Sequence, residues 1–121
     1  MYKIKNIKNL KSSSFDILKI YSKDDSSFNG FGEAYISKVR KKEFKGYHCN
    51  LNSNSNLFIL SGKVKFFIKL KKNIKTILLT DMSKKLLIIK KNTSYGFLAI
   101  KNSRILNIAS MQKSKLKKRN T

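Results

Sequence analysis

Short apolar runs, alternating with polar residues and separated by turn-forming residues, constrain the fold of this chain most. The clearest case is a pair of runs, 56–60 and 64–70, on either side of Ser61-Gly62-Lys63. Two apolar runs around a glycine-containing turn are a typical β-hairpin signal. Further runs of this kind lie at 15–21, 31–40, 43–48, 73–80, 85–90, 95–100 and 104–109. Because no segment sustains a 3.6-residue period, the pattern predicts one small all-β domain, either a sandwich or a barrel.

A chain of 121 residues has room for one domain and one hydrophobic core. We expect an N-terminal extension or strand at 1–14, the barrel at 15–112 and a basic tail at 113–121. The tail is rich in Lys and contains Arg119, with Leu116 as an isolated apolar residue. This composition is typical of a solvated terminus, and contact with nucleic acid or another anionic surface is the alternative.

The formal net charge of +22 makes anionic partners plausible for this chain. A cationic surface attracts nucleic acid, an anionic membrane or a phosphate-bearing small molecule. Only three of the 28 basic residues are Arg, and the chain is rich in Lys, Asn and Ile, a bias that AT-rich codons impose. Because Arg is the more versatile residue for nucleic-acid recognition, its scarcity makes a basic nucleic-acid-binding barrel the least favoured reading.

Cysteine usage and the N-terminal sequence indicate a location for the protein. A single cysteine, Cys49, excludes an intrachain disulfide and fits a reducing compartment. Lysines at positions 3, 5, 8 and 11 interrupt the N-terminal segment, so it lacks the apolar core of a signal peptide. No apolar run approaches the roughly 20 residues that a membrane-spanning helix requires. We therefore expect a cytoplasmic protein without membrane insertion.

Four stretches of the sequence, in this order, match the pattern of a known family. They are 31–37 (FGEAYIS), 45–48 (KGYH), 60–66 (LSGKVKF), and 89–97 followed by 105–108. Together they resemble the dTDP-4-dehydrorhamnose 3,5-epimerase family and its shorter sugar-epimerase relatives among the cupins, over about residues 15–110. The resemblance implies a cupin-type jelly-roll β-barrel, an isomerase activity on nucleotide-linked 4-keto sugars, and a homodimer.

The resemblance also implies catalytic residues. His48, the single histidine, stands where the family has the base that removes a proton next to the keto group. An imidazole, with an ordinary pKa near 6.5, suits this task at neutral pH. Tyr95 stands in place of a family histidine and is expected to donate a proton or stack on the sugar, with packing as the alternative. Asn102 falls near the sequence position of the family acid that orients the base, and its amide is expected to hold the imidazole in place of that acid.

Five further residues are expected to bind substrate. Lys45, in the KGYH segment, is expected to contact a phosphate or stabilise an enolate. Lys63 and Lys65 are candidates for the substrate diphosphate. Tyr47, beside the base, is expected to line the barrel, and Glu33 to orient His48 or contact substrate, with a surface ion pair as the alternative.

The sequence departs from the family pattern at sites that matter for chemistry. The acid-side tyrosine expected after the last strand has no equivalent in 109–112. Metal-binding cupins use an H-x-H pair and a later histidine, but this chain has His48-Cys49-Asn50 and Tyr95, so we expect no metal and no cofactor. Two functions follow. The favoured one is a sugar-nucleotide epimerase or isomerase of cell-surface polysaccharide synthesis. The alternative is a non-catalytic cupin that binds a sugar nucleotide or a partner enzyme.

Overall fold

The computed structural model describes residues 1–25 and 28–111, and the backbone of 118–120; every regular element among them is a β-strand. The strands are β1 (Tyr2–Asn6), β2 (Lys8–Lys11), β3 (Asp16–Lys19), β4 (Glu33–Val39), β5 (Phe44–Asn50), β6 (Ser55–Ser61), β7 (Lys63–Lys69), β8 (Ile74–Thr80), β9 (Lys85–Ile89), β10 (Ser94–Ala99), β11 (Ser103–Ala109) and β12 (Lys118–Asn120). Within these ranges no helix is long and apolar enough to cross a membrane. The prediction of an all-β chain is confirmed.

Two five-stranded antiparallel sheets face each other. The strand order is β1-β9-β6-β11-β4 in the first sheet and β12-β5-β10-β7-β8 in the second. Most hydrogen-bonded neighbours are distant in sequence, as jelly-roll barrels require. β1 pairs with β9, so part of the segment 1–14 is a strand of the barrel. Of the basic tail, residues 113–117 and 121 lie outside the described residues, while the backbone of 118–120 pairs with β5.

The segment 56–70 is not the paired hairpin that its sequence predicts. β6 lies in the first sheet and β7 in the second, so the chain crosses between the sheets at Gly62. Gly62 has a φ of 99°, and a Cβ atom there would lie 2.6 Å from the Asn102 carbonyl oxygen. The prediction is wrong about pairing because alternation shows which side chains face inward, and not which strand lies alongside.

The main core fills the space between the two sheets. The first sheet contributes Leu57, Ile59 and Ile105, and the second contributes Phe66 and Ile68. A smaller cluster lies on the outer face of the first sheet; it consists of Ile7, Phe58, Leu86 and Ile88, with partly buried side chains from the β3 region against it. The first sheet is thus covered on both faces, and this explains why 86–89 is a continuous buried run.

Candidate active site

A cavity of about 450 Å³ opens between the two sheets. Its polar lining comes from Tyr35, Ser37, Lys38 and Asn107 on the first sheet, and from Lys45, His48 and Tyr95 on the second. Its apolar lining consists of Val39, Leu57, Phe97 and Ile105. A concave site in which apolar side chains meet several converging polar groups is a usual form of a small-molecule site.

A β-bulge brings Lys45 and His48 to the same cavity. Along β10, Tyr95 is opposite His48 and Phe97 is opposite Lys45, so Gly96 alone faces two residues of β5. On a regular strand, residues three positions apart point to opposite faces, and the bulge removes this offset. Gly96 has no room for a side chain, since a Cβ atom there would lie 2.8 Å from the Lys45 carbonyl oxygen. The bulge therefore depends on glycine at this position.

His48 and Tyr95 form the wall of the cavity that belongs to the second sheet. Their ring centroids are 4.6 Å apart with the planes inclined at 60°. The Tyr95 hydroxyl makes a hydrogen bond with Ser55, and Ser55 Oγ accepts a hydrogen bond from Asn50 Nδ2 at 3.3 Å. Burial raises the pKa of Tyr95 to about 12, and the bond with Ser55 opposes this shift. The phenol is therefore neutral at ordinary pH.

Tyr35 and Asn107 form the facing wall on the first sheet. They are directly opposite on β4 and β11, and Asn107 Nδ2 donates to the Tyr35 hydroxyl oxygen at 2.8 Å. Burial raises the pKa of Tyr35, the hydrogen bond from Asn107 lowers it, and the charge of Glu33 raises it. Sequence reasoning missed both residues. The available signal was a polar residue, Asn107, at an inward position of β11 between the buried Ile105 and Ala109.

Three expected substrate-binding residues lie outside the cavity. Val64 and Phe66 are fully buried, so the alternating positions Lys63 and Lys65 face the outer side of the second sheet. Tyr47 is also on that outer side, where Lys69 Nζ lies 4.4 Å from its ring centroid. These three residues are therefore not among those that line the cavity, and their contact with a substrate stays a prediction.

Glu33 lies close enough to the cavity to act on Tyr35, whereas Asn102 lies in a separate depression. Glu33 begins β4 two residues before Tyr35 and acts on that phenol electrostatically, although it does not line the cavity. Asn102 lies in the turn between β10 and β11, where its Oδ1 accepts a hydrogen bond from the Lys41 amide at 2.8 Å. It lines a separate depression with Arg40 and Arg104. Asn102 is therefore not among the residues that line the cavity with His48, and its orienting role stays a prediction.

Residues 1–115 match the family model FdtA, described as WxcM-like, C-terminal. The chain belongs to this WxcM-like family. The match supports the resemblance to sugar-epimerase cupins that the sequence motifs indicate. A search of the curated proteins finds no match.

Solved structures with the same fold include several sugar-nucleotide enzymes. A mutant of the 3,4-ketoisomerase QdtA from Thermoanaerobacterium thermosaccharolyticum, in complex with TDP-4-keto-6-deoxyglucose, has a TM-score of 0.85 at 20% identity, covering 99% of this chain and 87% of that one. A dTDP sugar isomerase from Desulfovibrio desulfuricans has a TM-score of 0.84 at 16% identity, covering 99% and 83%. A dTDP-4-dehydrorhamnose 3,5-epimerase from Sulfolobus tokodaii has a TM-score of 0.76 at 14% identity, covering 93% and 76%. At these identities the comparison establishes the fold of this WxcM-like chain, a cupin-type barrel, as predicted.

The described part of this WxcM-like barrel contains no cluster of three or more His, Cys, Asp or Glu side chains that could hold a metal ion. Cys49, which neighbours His48, is fully buried, and its Sγ lies 4.0 Å from Asn92 Oδ1. Lys45, by contrast, is exposed while it lines the cavity. The cavity therefore joins an accessible ammonium group to an interior imidazole and phenol.

Proposed function

We propose that the protein is a sugar-nucleotide isomerase or epimerase that acts on a nucleotide-diphosphate-linked 4-keto sugar. The observation that carries the proposal is the placement of His48 beside a buried neutral phenol in an interior cavity. Family membership supports it, as does the shared fold with structures whose names describe 3,4-ketoisomerases and 3,5-epimerases.

The first chemical step of such a reaction assigns a role to His48. Its imidazole removes the proton from the carbon next to the ketone, the C–H electron pair forms a C=C bond, and the carbonyl π pair moves to oxygen. Proton transfer by a positioned histidine typically contributes about 10²–10⁴-fold to rate. Tyr95 stays protonated next to His48 and is a candidate hydrogen-bond donor to the developing enolate.

Lys45 is the residue proposed to hold the substrate diphosphate. Its ammonium group is exposed, and the bulge turns it toward the same cavity as His48. Lys38 also lines this cavity, so the opening carries two cations. Positive charge at the mouth of a cavity raises the local concentration of an anionic substrate.

We also propose that the protein is a cytoplasmic homodimer that serves cell-surface polysaccharide synthesis. The dimer is supported by large exposed apolar side chains that a monomer leaves in water, among them Phe15, Phe31 and Ile36, which are 59%, 63% and 53% exposed. A small core also gains from a partner surface. Analytical ultracentrifugation tests this assignment, and a monomer at micromolar concentration would reject it.

Hydrogen exchange tests the proposed chemistry directly. We expect purified protein to introduce solvent deuterium into the ring of dTDP-4-keto-6-deoxyglucose in D₂O, as followed by NMR. The variant His48→Ala should lose this activity by at least about 100-fold, while Lys65→Ala, on the outer face, should retain it. Exchange that survives His48→Ala unchanged would reject His48 as the base.

A non-catalytic sugar-nucleotide binding protein is the second candidate function. It is favoured by the absence of any carboxylate among the described cavity-lining residues, since a carboxylate would stabilise the imidazolium that proton removal creates. This candidate predicts saturable binding of dTDP-4-keto-6-deoxyglucose in calorimetry, with no deuterium entering the sugar.

A further inference from the structure

We propose that the outer face of the second sheet docks on a membrane surface that carries anionic lipid headgroups. This outer face is the side of β5, β10, β7 and β8 that points away from the cavity. The candidate active site uses the inner side of β5 and β10, so a surface docked outside does not occupy the cavity. The proposal concerns where the protein works and goes beyond the proposed reaction.

Large apolar side chains lie on this outer face. Phe44, Ile74 and Leu78 are 47%, 51% and 48% exposed. The Phe44 ring also contacts the rings of Tyr47 and Phe67, with centroids 5.8 and 6.2 Å away. An antiparallel sheet that only meets water is normally polar on its solvated side. A contiguous apolar patch on such a side marks an interaction surface.

Lysines stand beside these apolar side chains. In the register of β7 and β8, Lys65 is directly opposite Leu78 and Lys69 is directly opposite Ile74. Side chains that are opposite each other on one face of an antiparallel pair have Cβ atoms about 5 Å apart. Lys69 Nζ lies 4.4 Å from the Tyr47 ring centroid, so this side chain reaches across the apolar patch. Cations and exposed hydrocarbon therefore alternate over one surface.

The strands that form this face carry no acidic residue. The sequences of β5, β7, β8 and β10 contain neither Asp nor Glu. The six acidic residues of the chain are Asp16, Asp24, Asp25, Glu33, Glu43 and Asp81. The nearest of them in sequence, Glu43 and Asp81, directly precede β5 and directly follow β8. The lysines of the outer face therefore give it a positive potential that favours an anionic partner.

An anionic lipid surface is complementary to both parts of this face. Lipid headgroups attract lysine, and the layer beneath them accepts apolar side chains. Nucleic acid offers phosphates but no apolar phase for Ile74 and Leu78. Its bases stack on flat aromatic faces, whereas the Phe44 ring is inclined at 57° and 49° to its two aromatic neighbours. The four strands also contain no Arg, the more versatile residue for nucleic-acid recognition.

The chain contains no tryptophan, so one introduced tryptophan reports on one position. Leu78→Trp places the reporter on the outer face. Ile17→Trp is the matched control, because Ile17 is 46% exposed and lies on β3, on the side of the first sheet. With vesicles of phosphatidylglycerol and phosphatidylcholine in equal parts, at about 0.15 M salt, the emission of Leu78→Trp should shift to the blue and be quenched by brominated lipid. Ile17→Trp should show neither effect.

Paired charge variants test the lysines. Lys65→Gln/Lys69→Gln should weaken vesicle binding in a sedimentation assay about 30-fold, the size expected for two lysines near an anionic surface. Lys11→Gln/Lys19→Gln removes two charges from exposed positions of β2 and β3 and is the control. It should weaken binding less than about 3-fold, since charges beyond the Debye length of about 8 Å are largely screened. Melting curves measured in parallel show that each variant is folded.

The outcomes decide whether this face docks on lipid. Equal loss of binding in the two double variants would overturn the proposal, because binding would then follow the net charge of the whole chain. An unchanged emission of Leu78→Trp would also overturn it, as would equal binding to vesicles of phosphatidylcholine alone. If a single-stranded oligonucleotide shifts this emission and vesicles do not, the face binds nucleic acid and the proposal is wrong. The deuterium-exchange assay contains no vesicles, so the proposed isomerase function stands or fails separately.

Discussion

Replacing Gly96 with alanine perturbs the bulge that aligns Lys45 with His48. The added Cβ atom would lie 2.8 Å from the Lys45 carbonyl oxygen and 3.2 Å from Phe44 Cζ. The Phe44 ring can rotate away, but the carbonyl belongs to the paired backbone of β5, so β5 and β10 must move apart. Overpacking of this kind costs about 1–3 kcal/mol. At about 4 °C per kcal/mol for a domain of this size, we expect Tm to fall by about 4–12 °C.

Circular dichroism melting curves and the deuterium-exchange assay measure the two effects of Gly96→Ala. Gly30→Ala is the control, because Gly30 has a φ of 89° but its Cβ atom would meet no described atom outside its neighbours closer than 3.8 Å. It should lose stability through backbone strain alone and keep the exchange rate. Gly96→Ala should lose both stability and exchange. An unchanged Tm together with an unchanged exchange rate in Gly96→Ala would refute the view that the bulge aligns the site.

Two further predictions concern substrate binding and alkaline stability. Lys45→Ala should raise KM for the keto-sugar nucleotide about tenfold, which is the size expected for loss of one charge-assisted contact. Lys65→Ala should leave KM unchanged. Equal KM changes in the two variants would contradict the assignment of Lys45 to the cavity mouth. Burial raises the pKa of Tyr95 to about 12. The buried neutral phenol therefore contributes fully to folding stability below the unfolded pKa near 10, and this contribution is lost as pH rises from about 10 to 12. Urea unfolding at pH 9 and pH 12 should show a loss about 2 kcal/mol smaller in Tyr95→Phe than in the unmodified protein, and equal losses would show that Tyr95 is not shielded.

Most of the fold could be predicted from local patterns in the sequence. Alternation located the strands, and the ordered motifs indicated a cupin barrel, but the pairing of β6 and β7 was wrong because it depends on topology. Alternation also contained an unused signal: Phe66 is buried, so Lys65 beside it points outward.

The candidate site was only partly visible in the sequence. The motif 45–48 indicated Lys45 and His48, and the structure brings both to one cavity. Tyr35 and Asn107 were missed because their importance arises from the facing of two sheets, which no local spacing reports. The bulge opposite Gly96 places Lys45 on the same side as His48, although residues three positions apart on a regular strand point to opposite faces. Tyr47 points outward by simple alternation, because it is next to His48.

The strand order of the first sheet has a consequence for how the chain is made. β1, β4 and β6 have no hydrogen-bonded partner in that sheet until β9 and β11 exist, since every neighbour contact in the order β1-β9-β6-β11-β4 involves one of these two late strands. During synthesis on the ribosome, these three early strands therefore stay unpaired in this sheet until the last third of the sequence has been made. Long-range pairing of this kind is slow and leaves unpaired edges exposed. Lysines in β1 (Lys3 and Lys5) and in β4 (Lys38) suit this interval, because charged edges resist pairing with other nascent chains; β6 has no lysine.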